Sequence, residues 1–463
     1  MEAPNLISKL SNEILFAIAS YLTSSRDLQT FALLDKRFNA CIQPLLWNSV
    51  LFDVDTTGIF PRPEVRGHNS GIEPRRLELP SGISEQNAIW IKKIKLQDRR
   101  EMAQRTLSWS MKPVIRQCPN IEYMDLDLPL RGFEIEGELP EIKQIRLSEE
   151  DVNNWGSTLV AIPDETLKKL FNAQSLRHVE FYMDCQALSR IGLDERTLPA
   201  THLTINRCPV FHADAICTFI QACKALEEVH VKYNFPLSES PELNLHEDHD
   251  KFREACGFHC ETLHTISITR ERYGEQDPNH HSDDIGICLG GIPFDEFDAL
   301  THLSINISQL YCYGLVQTMP PSLEILQLQI PADNRKSTRY DIRRAQTLKV
   351  FDQILESRIE FPELRQIVWW YNFTNLGDDD DSDDNEDILE SSEAKTSRIV
   401  DRCIFDSQVS RFAEEDIDLV WLETESIDET SFGIASPHIN WRKGGLLTTA
   451  EDREALQQEV DDG

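Results

Sequence analysis

Positive charge is what this chain has least of. Its 463 residues carry 46 Lys and Arg against 79 Asp and Glu, a formal net charge of −33 at pH 7. Nucleic acids and anionic membranes select for basic surface, so neither is expected as the main partner. One basic stretch stands against that average, residues 334–344 (NRKSTRYDIRR), and it reads as a solvated helix or loop face. A run of roughly eighteen apolar residues, the minimum for a membrane span, is also missing. Met1, Glu2, Ala3 and Pro4 open no basic-then-apolar leader, so no secretory signal is expected. The 11 cysteines have no disulfide-like spacing. Without a secretory signal they read as reduced thiols in a cytoplasmic or nuclear protein.

Catalytic motifs are absent too. There is no phosphate-cradling G-x-x-x-x-G-K-S/T loop, no G-x-G-x-x-G after a strand and no G-x-S-x-G elbow. Cys208 with His202, and Cys223 with His230, can be written as nucleophile–base pairs. Both fall where strands meet turns, and each reads as a buried structural thiol. His246, His249, Cys256, His259 and Cys260 have ligand types that suit zinc, but their spacing matches no standard site. Cys256 and Cys260, four apart on an expected helix, can simply face a core. No metal, cofactor or catalytic residue is assigned, and the chain is not expected to be an enzyme.

What the chain does have begins at residues 10–47, LSNEILFAIASYLTSSRDLQTFALLDKRFNACIQPLLW. Leu10, Ile14, Ile18 and Leu22 recur every four residues, one face of a helix that Leu15 widens. Ser11 suits the N-cap, and Glu13 lies in the first turn, where the helix dipole favours an acid. Ser24 and Asp27 resemble a capping box for a second helix bearing Leu28, Phe31 and Ala32. Asp35 can cap a third, with Phe38, Cys41 and Ile42, which Pro44 ends or kinks before Leu45, Leu46 and Trp47. A unit this small buries little of its surface, so some of its apolar groups should be covered by a partner or by the next domain. Periodicity alone fits a plain helical cap equally well.

The order of residues resembles the F-box. The matching positions are Leu10, Glu13, Ile14, Leu15, Ile18, Leu22, Asp27, Leu28, Phe31, Leu34, Lys36, Arg37, Phe38, Ile42, Leu46 and Trp47, with Ser11 where that family usually has proline. The resemblance implies docking onto a Skp-type adaptor, and through it a cullin. It implies that Leu10, Ile14, Leu15, Ile18, Leu22, Leu28, Phe31, Leu34 and Phe38 are shared between the small core and the adaptor interface.

Further along, one pattern recurs: apolar, two variable, apolar, one variable, apolar. The copies are Ile91-Ile94-Leu96, Ile121-Met124-Leu126, Ile142-Ile145-Leu147, Leu176-Val179-Phe181, Ala200-Leu203-Ile205 and Leu226-Val229-Val231. Leu263-Ile266-Ile268, Leu300-Leu303-Ile305, Leu323-Leu326-Leu328, Leu364-Ile367-Trp369 and a weak Ile417-Val420-Leu422 follow. The last two positions alternate as a strand does, and helical patterning lies between copies, as in DETLKKLF and ADAICTFIQAC. Spacing is uneven, short from Met124 to Ile145 and long from Ile367 to Val420, so several repeats carry insertions. An ordinary α/β domain with parallel strands is the plainer alternative. Phrases such as CPNIEYMDLDL, CKALEEVHVKYN and PPSLEILQLQI resemble the leucine-rich repeats that follow F-boxes, notably in fungal proteins.

The expected fold class is therefore α/β, a three-helix F-box followed by an irregular leucine-rich-repeat solenoid with parallel strands on its concave face. The expected organisation is a helical domain over 1–50, a strand and loop over 51–84, the array over 85–425, and a cap with an acidic tail over 426–463. An acidic run at 377–393 (GDDDDSDDNEDILESSE) reads as a disordered loop of the array. The expected function is substrate recognition for a Skp–cullin–F-box ubiquitin ligase. The alternative is a leucine-rich-repeat scaffold with no ubiquitin role. The substrate would be a protein, and the net charge hints at a basic one. Strand positions between or just after the apolar ones are the candidates to touch it: Glu180, Tyr182, Thr204, His230, Ser267, Ser304, Gln327 and Val368.

Overall fold

The computed structural model describes residues 10–22, 25–34, 36–53, 75–76, 85–97, 109–110, 112–128, 133–135, 139, 141–149, 164–182, 191–208, 213–233, 245–270, 294–306, 319–331, 348–373 and 405–425. The acidic run, the basic stretch 334–344, the C-terminal tail and the expected caps Ser24 and Asp35 lie outside these residues. The chain divides into two compact units, Met1–Ile266 and Ser267–Gly463.

The first unit opens on three helices, α1 (Asn12–Ser20), α2 (Ser25–Leu34) and α3 (Lys36–Leu46). Ser11 caps α1, its Oγ accepting from Ile14 N–H at 3.4 Å. A hydrogen bond from the Ser11 hydroxyl, and then one from Glu13's own backbone N–H, hold the Glu13 carboxyl below the usual glutamate range. Arg37 ties α3 to the start of α1, donating to Asn12 Oδ1 at 2.7 Å and to the Leu10 carbonyl. Ala19, Leu28 and Ile42 form the centre, with Leu22, Phe31, Ala32, Cys41, Leu45 and Leu46 packed on it. Phe31 and Phe38 stack at 4.9 Å. Pro44 lies inside α3 and does not end it, since Trp47 N–H still donates to Gln43 O at 3.1 Å.

No loop separates these helices from the sheet. Trp47 leads straight into β1 (Ser49–Asp53), which pairs with β3 (Lys93–Gln97) in the phase of every later copy, Val50 opposite Ile94 and Phe52 opposite Leu96. The helices therefore hand over directly to an edge strand. Then come β5 (Tyr123–Leu128), β7 (Gln144–Glu149), β8 (His178–Tyr182), β9 (His202–Cys208) and β10 (Glu228–Tyr233), all parallel and neighbours in chain order. A doubly wound sheet reverses its order midway. This one does not, and it is compatible with a solenoid-like α/β fold. A second, three-stranded parallel sheet joins β2 (Arg75–Arg76), β4 (Trp109–Ser110) and β6 (Phe133–Glu134). The helices between strands are α4 (Glu85–Ala88), α5 (Lys112–Gln117), α6 (Asp164–Phe171), α7 (Ala213–Ala222) and α8 (Leu245–Gly257).

Each strand is entered in the same way. One carbonyl accepts two successive N–H groups of the next copy: Asn48 from Lys92 and Lys93, Lys92 from Glu122 and Tyr123, Lys143 from Arg177 and His178, Thr201 from Glu227 and Glu228. That shared acceptor fixes the register, because a slip of one residue would turn every side chain to the other face. Ile94, Met124, Ile145, Val179, Leu203 and Val229 consequently stand in one line, all fully buried. Behind them Phe171 of α6 and Phe219 of α7 meet Phe181 of β8 edge to face, with centroids 5.2–5.9 Å apart. Such pairs contribute on the order of 1 kcal/mol each beyond the area they bury.

β11 (Thr265–Arg270) crosses the division between the units. The second unit has β12 (His302–Asn306), β13 (Ile325–Pro331), β14 (Gln366–Phe373) and β15 (Asp418–Glu425), again parallel and in chain order. Helical residues 348–356 and 405–413 precede its last two strands. Phe351, Phe405 and Phe412 cluster about the fully buried Trp369. The sequence THLTIN at 201–206 returns as THLSIN at 301–306, and in both the threonine hydroxyl meets the neighbouring histidine Nδ1 at 2.7 Å.

The last copy corrects the expected phase. Leu419 pairs with Ile367 and Trp421 with Trp369, so the repeat positions are Leu419 and Trp421, not Val420 and Leu422. Leu419 is buried, whereas Val420 is partly exposed. Four consecutive apolar residues, Leu419 to Leu422, fit either phase on pattern alone. Among the described residues, no helix is long and apolar enough to cross a membrane.

Candidate interaction surfaces

In α1 the apolar residues are spread around more than one face. Leu15 and Ala19 turn inward and are fully buried, with Leu22 packed beside them. Ile14 and Ile18 are about half exposed, and Tyr21, which continues their stripe at i+3, is 85% exposed. Of the i, i+4 set, Ile14 and Ile18 thus lie on the outer stripe of the helix, while Leu22 packs on the core. From α2, Leu33 and Leu34 also point out, Leu33 at 86%.

The nine residues expected to be shared with an adaptor therefore separate. Leu15, Leu28 and Phe38 are core. Leu10, Leu22 and Phe31 are half-buried. Ile14, Ile18 and Leu34 are exposed. Phe16, Tyr21 and Leu33 are exposed apolar residues that the family pattern does not single out. For Tyr21 a signal existed, its place three residues after Ile18.

On the sheet of the first unit, alternate residues turn away from the buried lines and build a polar face. Its first rung is Lys93, Tyr123, Gln144, His178, His202 and Glu228, and its second is Lys95, Asp125, Arg146, Glu180, Thr204 and His230. Ser148 and Tyr182 pair one step further along. Glu180, Tyr182, Thr204 and His230 all fall on this face and are half-buried. Ser267 is half-buried as well.

Ser304, Gln327 and Val368 do not offer the open positions expected of them. Ser304 and Gln327 are only 8% exposed and Val368 is fully buried. At the middle of β12, β13 and β14 the residues on both sides of the strand are buried, so alternation no longer separates an inner from an outer face.

Charges on the polar face of the first unit are tightly coupled. Glu228 meets His202 Nε2 at 3.4 Å and His230 Nε2 at 3.3 Å, which holds its carboxyl well below the usual range. The same contact raises His202. His178, 3.0 Å from Thr204 Oγ1, is pushed down to about 4 by burial and then by its two histidine neighbours. Burial raises Asp125 and Glu180 despite the nearby Arg146 guanidinium. Arg146 lies 4.0 Å over the Tyr182 ring, and Asn206 donates to Glu180 Oε1 at 3.1 Å. Asp125, Arg146, His178 and Glu228 were not among the sequence candidates, and His202 was considered only beside Cys208, although all five lie on the two rungs that carry the candidates. Perturbed groups gathered on one surface are a feature of functional sites.

Of the zinc-like cluster, His259 and Cys256 are committed to the interior, while the side chains of His246 and His249 lie outside the described residues. His259 is buried, with Nε2 donating to Ile220 O at 2.8 Å and Nδ1 accepting from Leu226 N–H at 3.3 Å. Both ring nitrogens are engaged by backbone, and burial lowers its pKa. Cys256 is buried in α8, its thiol pushed well above the ordinary value. Among the described residues no group of three or more His, Cys, Asp or Glu is placed to hold a metal ion. Cys223 is also buried, donates to Phe219 O at 3.3 Å, and is pushed up to about 12, the opposite of an activated thiolate. Comparison with protein-family models and with curated proteins returns no match for this chain.

Proposed function

We propose that this protein is the substrate-recognition subunit of a Skp–cullin–F-box ubiquitin ligase. The observation that carries the reading is the pattern of exposure on the N-terminal helices. They have a core of their own in Ala19, Leu28 and Ile42, yet leave Ile14, Ile18, Tyr21, Leu33 and Leu34 in solvent. A small unit that keeps large apolar residues outside a complete core is suited to burying them against a partner. The F-box-like order that includes Ile14, Ile18 and Leu34 supports a Skp-type adaptor as that partner, with a cullin beyond it. The strand array, read as a leucine-rich-repeat solenoid, would hold a protein substrate. This chain would then contribute proximity and leave covalent chemistry to the ligase it joins.

Co-purification with a Skp-type adaptor tests the reading. The wild-type chain is expected to retain the adaptor and the double variant Ile14→Asp, Ile18→Asp to lose it while staying folded, since both residues are exposed. Leu15 is unsuitable for this purpose because it is core. Failure of the wild type to bind would leave the scaffold reading in its place.

A further inference from the structure

Over the first two rungs of β5–β10, three carboxylates, Asp125, Glu180 and Glu228, stand against one cation, Arg146. With neutral histidines that part of the face carries a net charge of −2. Asp125 is the informative member. It is only 5% exposed, and Lys95 Nζ stands 3.8 Å from its Oδ2. Its other oxygen, Oδ1, has no hydrogen-bond partner among the described residues, and neither does Arg146 Nε on the next strand.

A buried carboxylate oxygen left unpaired is costly, and so is a buried guanidinium N–H. Neutral residues of similar shape would avoid that cost. A ligand that brings a cationic donor to Asp125 and a carbonyl acceptor to Arg146 would remove it. A protein segment containing Lys or Arg has both, the donor on its side chain and the acceptor on its main chain. Tyr123 and Tyr182 flank the same place, and Arg146 already stacks over the Tyr182 ring at 4.0 Å.

We propose that the polar face of β5–β10, centred on Asp125, Arg146 and Glu180, is the substrate-binding surface and takes a basic, arginine- or lysine-containing protein segment. The proposal rests on the reading of the array as the substrate-holding part and gives that part a place and a ligand class. It does not depend on the identity of the adaptor.

The test uses the purified full chain and a fluorescein-labelled arginine–glycine peptide, with a glutamate–glycine peptide as its opposite, read by fluorescence anisotropy. Because the whole chain is acidic, the control must change charge equally elsewhere. Asp125→Asn with Glu180→Gln is compared with Glu165→Gln plus Glu254→Gln, two exposed residues on α6 and α8. The first pair is expected to weaken the arginine peptide about tenfold or more. The control pair should weaken it by about twofold or less. Thermal melts confirm folding, and Glu180→Gln alone serves if Asp125→Asn disturbs it. Equal losses in the two pairs would overturn the proposal in favour of bulk charge, and so would equal binding of the glutamate peptide. Adaptor co-purification run on the same variants separates the two readings. Loss of the adaptor with peptide binding intact removes the ligase reading and leaves this surface standing.

Discussion

The helices of α1–α3 and the polar face of β5–β10 each hold groups away from the interior, but of opposite kinds. The helices expose aliphatic and aromatic side chains around a core already complete. The strands bury every large apolar repeat residue and turn charge, histidine and tyrosine to the opposite, half-buried face. Apolar anchors give affinity that survives salt. Charged rungs give selectivity and attraction that salt screens. One chain carrying both is suited to holding one partner durably while sampling another by its charge.

The largest effect that would break this comparison lies in the helices. Leu15→Asp puts a carboxylate into a fully buried position and is expected to cost on the order of 4 kcal/mol or more, unfolding the helical unit. Ile14→Asp, one residue away, should change stability by less than about 0.5 kcal/mol. Thermal melts and limited proteolysis of the pair decide it. Equal damage from both would mean that the outer stripe is core after all.

On the strand face the expected effect is smaller and depends on pH. His178 is held down to about 4 from 6.5, so between those values the unfolded chain takes a proton that the folded chain refuses. Its contribution is fully present above pH 6.5 and is lost as pH falls toward 4. Glu228, with its lowered pKa, acts in the same direction below its ordinary 4.5. His202, raised by Glu228, acts oppositely, adding stability at low pH that fades as pH rises through its folded value. Melting temperatures of His178→Gln and wild type should therefore converge as pH falls from 6.5 to 4, with the wild type losing more. Parallel curves would show that His178 titrates as it does in the unfolded chain.

The smallest effect sharpens the helical side. Ser11→Ala removes the N-cap acceptor of Ile14 N–H and is expected to cost about 0.5–1 kcal/mol, visible as faster proteolysis near α1. No change would assign the capping to backbone and solvent alone.

Much of this could be read before any fold was known. The repeat phase from Ile94 to Trp369 predicted which residues pair, because an apolar residue at every second strand position has only one face to bury. The Ser11 cap was legible because its chemistry is local. The phase of β15 was not, since Leu419 to Leu422 is apolar throughout and only pairing with Ile367 and Trp369 chooses between the registers. Nor could the sequence divide Leu15 from Ile14. Both are large, aliphatic and on the same turn, and which one is buried depends on where α3 packs.

The candidate site was legible to a similar degree. Strand position marked Glu180, Thr204 and His230 as lying on the face opposite the buried lines, and the same rule erred for Ser304, Gln327 and Val368. Alternation states which way a side chain points but carries no information on what lies above it. The sequence by itself determined the local quantities: helix caps, strand alternation, the acidic balance and the phase of the repeats, all set by neighbours within a few residues. The tertiary structure alone decided the non-local ones. It placed Leu15 inside and Ile14 outside, joined the helices to the sheet through β1, tied both nitrogens of His259 to backbone, and brought Asp125, Arg146 and Glu180 side by side. Those outcomes depend on residues tens of positions apart in the chain that meet only when the strands pair.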